Sequence, residues 1–164
     1  MHSGIRDDHA SVHLLRHLVA TITYRADVAT SDVPEGFART RLAVDVRTPL
    51  ELLAHVADLM QWSAALVRGA ERPAGVEDAS WDAALERLEV GLEQLDLALA
   101  NGPTPSLDVE ALLQGPLADA LTHVGQLLLV RRLAGVPAPP QGYYRAEIEA
   151  GRPRRDAYPR SSAT

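Results

Sequence analysis

Four stretches of the chain carry apolar residues at helical spacing, each bounded by residues that start or stop helices. Over residues 8–28, Val12, Leu15, Leu18, Val19, Ile22 and Ala26 fall on one stripe. Thr48 precedes Pro49 and has Glu51 three positions on, a capping box with proline at the first helical position, so a second helix is predicted over residues 49–69. Its apolar surface is wide, because Leu53, Val56, Met60 and Val67 form a second stripe beside Leu52, Leu59, Trp62 and Leu66; such a helix contacts two neighbours. Ser80 caps a third helix in which Trp81, Leu85, Leu88, Leu92, Leu95 and Leu99 form the core face, and Asp82, Glu86, Glu89, Glu93 and Asp96 an acidic solvent face. A short turn over residues 107–114 breaks at Gly115-Pro116. Pro116 then opens the last long helix, which stops at Gly135 ahead of Pro137, Pro139 and Pro140. Residues 143–150 predict a small capping helix. Residues 29–46, with Pro34-Glu35-Gly36 and no sustained period, predict a long, partly ordered connection. No strand pattern competes, so the fold expected is an all-α, antiparallel four-helix bundle.

Composition narrows the chemistry more than the fold. The 164 residues suit one domain, expected over residues 1–151 and followed by an Arg/Pro-containing, flexible tail over 152–164. A formal charge of -6 argues against nucleic acid as a partner, since such a surface repels phosphate. The one basic cluster, Arg152, Arg154, Arg155 and Arg160, falls in that tail. The chain has no cysteine and no lysine; all 16 basic residues are arginine. Disulfides, thiolate nucleophiles, lysine Schiff bases and thiolate zinc sites are therefore excluded, leaving carboxylates, histidines, hydroxyls or a bound ion for any catalysis. With no apolar run behind the polar first residues and no long charge-free apolar segment, a cytoplasmic protein without membrane contact is expected.

The run Asp119-Ala-Leu-Thr-His123-Val-Gly-Gln126 sets a carboxylate and an imidazole four apart on one helix face. That face is shared with Pro116, Ala120, Leu127, Val130 and Ala134, so it is expected to be dry. A carboxylate buried there needs compensation. A metal ion beside the imidazole would supply it, and so would an Asp-His hydrogen bond that merely satisfies two polar groups. His55, at one edge of the second helix's apolar surface, is another core-facing imidazole, and bundle cores are where metal sites are assembled from facing side chains.

The second-helix run Thr48-Pro-Leu-Glu-Leu-Leu-Ala-His55, the fourth-helix run Asp119 to Gln126, and Arg131-Arg-Leu-Ala-Gly135-Val-Pro137 downstream resemble the DinB-like (DinB/YfiT) superfamily. The resemblance covers nearly the whole chain in helix order and spacing. It implies a four-helix bundle holding a divalent ion with one histidine from the second helix and a pair spaced by four on the last, which makes His55, Asp119 and His123 the candidate ligands. The family usually has histidine where Asp119 stands, although its mycothiol-dependent maleylpyruvate isomerase branch has glutamate there. Two imidazoles and a carboxylate suit zinc, nickel or iron and leave positions open for water or substrate. The implied activity is a metal-dependent thiol transfer, isomerisation or hydrolysis of a small molecule, with an external low-molecular-weight thiol as a candidate cosubstrate and a homodimer as the family-weighted assembly. The alternative is a non-enzymatic binding or structural bundle with a metal-free Asp-His pair.

Other features carry less. His9, His13 and His17 recur every four residues opposite the apolar stripe of the first helix, so solvent exposure is expected. Gln126, one turn beyond His123, is placed to hydrogen-bond a ligand histidine or to pack. Tyr24, Arg25, Tyr143 and Tyr144 either border a pocket or pack as a lid.

Overall fold

The capping box forms as the sequence predicts. The Thr48 hydroxyl accepts from the Glu51 backbone N–H, the Glu51 carboxylate accepts from the Thr48 N–H at 2.6 Å, and helix α2 runs Pro49–Arg68. In this computed structural model, which describes residues 4–154, the other helices are α1 (Gly4–Thr30), α3 (Trp81–Ala100), a single turn α4 (Val109–Leu112) and α5 (Ala118–Leu133). The described residues contain no strand. Ser80 and Asp108 cap α3 and α4 through side-chain oxygens that accept from Ala83 and Ala111. Between α4 and α5 the chain passes through a π-helical stretch, Leu113–Leu117, where Gly115 leaves helical geometry (φ −87°, ψ −108°) ahead of Pro116. No helix among the described residues is long and apolar enough to cross a membrane.

Each long helix packs on two others: α1 on α3 and α5, and α2 on α3 and α5. The ring encloses one core, in which Ile22, Leu53, Met60, Leu88, Leu92 and Leu127 are completely buried. Helices α2 and α5 run in opposite directions, since His55 meets His123 while Leu59 and Trp62, further along α2, lie beside Pro116 and Ala118. Helices α2 and α3 run the same way. Arg87 meets Asp58 and the Ala54 carbonyl, Gly91 abuts Met60 and Gln61, and past the end of α3 the Thr104 N–H donates to the Val67 carbonyl. Arg16 pairs with Asp96 late in α3, whereas the last turn of α1 meets Arg131 at the end of α5, so α1 opposes α3 and parallels α5.

The four-helix bundle expected from sequence is thus present, with two antiparallel and two parallel neighbouring pairs. Connection length is the physical reason. Helix α2 has 20 residues, roughly 30 Å of rise, and the connection over residues 69–80 extends to roughly 40 Å, enough to return the chain to the end where α2 began. Arg87 pins that return segment, donating to Asp78 within it and to Asp58 on α2. The connection over residues 31–48 crosses the bundle end between the diagonal helices α1 and α2. It holds a 3-10 turn (Phe37–Arg39) whose buried Phe37 packs edge-on to Trp81 at 5.8 Å.

Three further expectations change. Asp96 is buried rather than on the solvent face, because α1 covers it and Arg16 donates two hydrogen bonds to it at 2.9 and 2.8 Å. The predicted capping helix over residues 143–150 is only a 3-10 turn (Tyr143–Arg145), a segment with no apolar stripe of its own to bury. Tyr143 instead stacks edge-on with Tyr24 and lies under Arg25, while Tyr144 is fully exposed. Of the basic tail, Arg152 and Arg154 pair with Glu149 and Glu93, and the part from Arg155 onward, Arg160 included, lies outside the described residues.

Candidate metal centre

His55 sits two turns into α2 and Asp119 in the first turn of α5, with His123 one turn later. The antiparallel α2–α5 contact brings the three together across more than sixty positions of sequence. One carboxylate bridges two imidazoles: Asp119 Oδ2 lies 3.3 Å from His55 Nε2, and Asp119 Oδ1 lies 3.3 Å from His123 Nε2. The two rings meet edge to face at 4.6 Å between centroids. Taking one ligand atom from each residue, the set lies within 4.8 Å, somewhat wider than the ~3–4 Å that a shared ion with bonds near 2 Å imposes. No other group of three or more histidines and carboxylates with this proximity occurs among the described residues. His9, His13 and His17 are exposed along α1, as expected, and do not converge.

The hydrogen bond of His123 to Gln126 decides how the centre is polarised. The Gln126 Oε1 atom lies 2.9 Å from His123 Nδ1, so Nδ1–H donates to the amide, and in the neutral ring it is the Nε2 lone pair that faces Asp119. A lone pair facing a carboxylate oxygen is a repulsive pairing unless a proton or a cation lies between them. The donor set therefore fits a metal ion: two imidazole nitrogens and a carboxylate, with one imidazole already held in a ligand tautomer. His55 is held below the ordinary histidine pKa, first by burial and next by the charge of Arg47, against the opposing pull of Asp119. It is thus neutral, as a ligand must be, at neutral pH. Asp119 gains from the first-turn position, where the positive end of the helix dipole favours a carboxylate.

The centre is not dry. The apolar companions named from sequence do point inward, and Pro116, Ala120, Leu127 and Val130 are buried. Asp119 and the histidines instead lie on the flank of that stripe, with side chains 46% (Asp119), 26% (His55) and 13% (His123) exposed. The expectation of a buried carboxylate is corrected accordingly: the second wall is the loop over residues 31–48 rather than another helix, and it leaves a gap. That gap is a cleft of about 730 Å³ lined by α2, α5 and the loop. A second opening of about 410 Å³, between Trp62 and the Gly115-Pro116 kink, reaches Asp119 from the other side.

Arg131, embedded in the run after Gln126, is buried away from the cleft. It donates to the carbonyls of Val28, Ala29 and Ser31 at 3.1, 3.3 and 2.8 Å and to that of Val136 at 3.0 Å, tying the end of α1 to the end of α5. Tyr24, Arg25 and Tyr143 pack with one another and do not line the cleft. Arg47, by contrast, lines it and was not singled out in the sequence; its only signal there is its place just before the cap of the helix that carries His55. No family model, characterised protein or solved structure matches this chain.

Proposed function

We propose that the protein is a metal-dependent enzyme of DinB-like type, holding a divalent ion of the zinc, nickel or iron kind with His55, Asp119 and His123 and acting on a small molecule. The observation that carries this reading is the juxtaposition of the three side chains in an open cleft, with His123 Nε2 facing the Asp119 carboxylate. When bound, the ion would supply Lewis acidity and make a nucleophile of water or an external thiol near neutral pH, in a chain that has no cysteine or lysine nucleophile of its own. Asp119 supplies the negative charge that favours a dication. Gln126 fixes the orientation and tautomer of His123, and the half-open cleft admits substrate. Thiol transfer, isomerisation and hydrolysis all use such a centre, and the resemblance of the two histidine-bearing runs to the DinB-like superfamily favours this group of reactions.

A second reading has its own support: His55 Nε2 lies within hydrogen-bond distance of Asp119 Oδ2, at 3.3 Å, a contact that serves the carboxylate with no ion present. Elemental analysis of protein purified without chelators or added metal separates the two. A stoichiometric divalent ion that is lost in His123→Ala and kept in His13→Ala is the expected result; metal-free wild-type protein that also takes up no zinc, nickel, cobalt or iron on titration would overturn it.

A further inference from the structure

The cleft over the centre is lined unlike an ordinary bundle surface. Leu129 and Leu133, 51% and 64% exposed, continue the face of α5 beyond Gln126, and Leu42 and Val46 oppose them from the loop. Large apolar side chains gathered around one concavity mark a binding surface for an apolar body. One cation stands in this lining. Arg47 is exposed and makes no hydrogen bond or ion pair among the described residues, whereas its neighbour Arg41 is committed to Glu51 and to the carbonyls of Val44 and Val46. The charged residues of the lining are Asp45, Asp119 and Arg47, which leave it one net negative charge with the histidines neutral; a dication reverses that to one net positive charge.

We propose that the cleft binds an apolar organic monoanion, its carboxylate paired with Arg47, its hydrocarbon body against Leu42, Leu129 and Leu133, and its reacting function at His55, Asp119 and His123. This assignment of substrate class rests on the metal-dependent reading. Charge complementarity supports it: the guanidinium is the one free cation of the lining, and the apolar walls strengthen a pairing that bulk water would weaken. Asp45 on the same rim disfavours a second carboxylate, which is why a monoanion fits better than a dianion.

The test uses Co²⁺-loaded full-length protein and a graded series of ω-mercaptocarboxylates, each compared with the ω-mercaptoalcohol of the same length. Binding is read from the thiolate-to-cobalt absorbance. At the chain length that spans from the centre to Arg47, the carboxylate should bind about threefold to tenfold tighter than the alcohol. Arg47→Gln should erase that preference while leaving cobalt retention and the affinity of the alcohol unchanged. Equal affinities at every length, a preference that survives Arg47→Gln, or cobalt-loaded protein that binds neither probe would each overturn the inference and leave the metal reading intact. Protein that retains no cobalt, established by elemental analysis before any titration, fails the metal reading and the inference with it.

Discussion

Asp119 is the residue on which the site turns, because its two carboxylate oxygens face the two imidazoles. Asp119→Asn nearly preserves shape while removing the charge that favours a dication. Divalent-ion affinity measured calorimetrically should fall by about tenfold or more, with the helical circular dichroism unchanged, since the side chain is half exposed and its loss strands no buried charge. Undiminished affinity would return the site to a structural Asp-His pair. The neighbouring His55 offers a pH signature. Its pKa in the folded protein lies below the ordinary 6.5, chiefly through burial and then through Arg47, so between the two values the unfolded chain binds more protons than the folded one. Its contribution to stability is therefore complete above about 6.5 and is lost as pH falls through the lowered folded-state value. An imidazole titration followed by NMR in metal-free protein should show a midpoint for His55 below 6.5, moving upward in Arg47→Gln.

At the scale of elements, the contact between α2 and α3 is set by a glycine. Gly91 is buried in the middle of α3, where a Cβ would stand 2.9 Å from the Cβ of Met60 and 3.4 Å from the Gln61 backbone nitrogen. In an exposed helix, replacing glycine by alanine stabilises by about 1 kcal/mol. Here the close approach outweighs that gain, because neither the Met60 Cβ nor the α2 backbone can move aside without shifting the helix. Gly91→Ala should lower the unfolding free energy by about 1–2 kcal/mol in urea denaturation. A stabilised variant would mean the two helices are less tightly apposed than they are here. Because α2 also carries His55, any such shift is transmitted to the centre, so metal affinity should weaken in the same variant.

For the whole molecule, the decisive element is the connection that lets α2 and α3 run parallel. Removing residues 71–76 leaves a link of roughly 20 Å at full extension, too short to return along the roughly 30 Å of α2. The deletion should abolish cooperative thermal unfolding or produce a rearranged, oligomeric species by size-exclusion chromatography. A monomer with native-like NMR dispersion would contradict the parallel pairing. The deletion also removes the Arg72 stack on Trp62, but that surface contact is too weak to account for loss of the fold.

By itself the sequence determined the helices, their caps and the residues of the centre. Helix periodicity and capping act within a few residues: the Thr48–Glu51 box, the Ser80 cap and the breaks at Gly69, Gly115-Pro116 and Gly135 all lie where local chemistry puts them. The spacing of Asp119 and His123 and the core-facing place of His55 were legible for the same reason, and resemblance joined the three as a ligand set. Direction and exposure were not legible, because both depend on which distant surface covers a given face. Asp96 is acidic and periodic with Glu89 and Glu93, yet only the position of α1 decides that it meets Arg16 and is buried. Conversely Asp119 shares an apolar stripe, yet the loop over residues 31–48 stops short of it and leaves a cleft rather than a core. Arg47 gained its place beside the centre in the same way, since no local pattern reports that a loop residue and a helix seventy positions away will line one concavity.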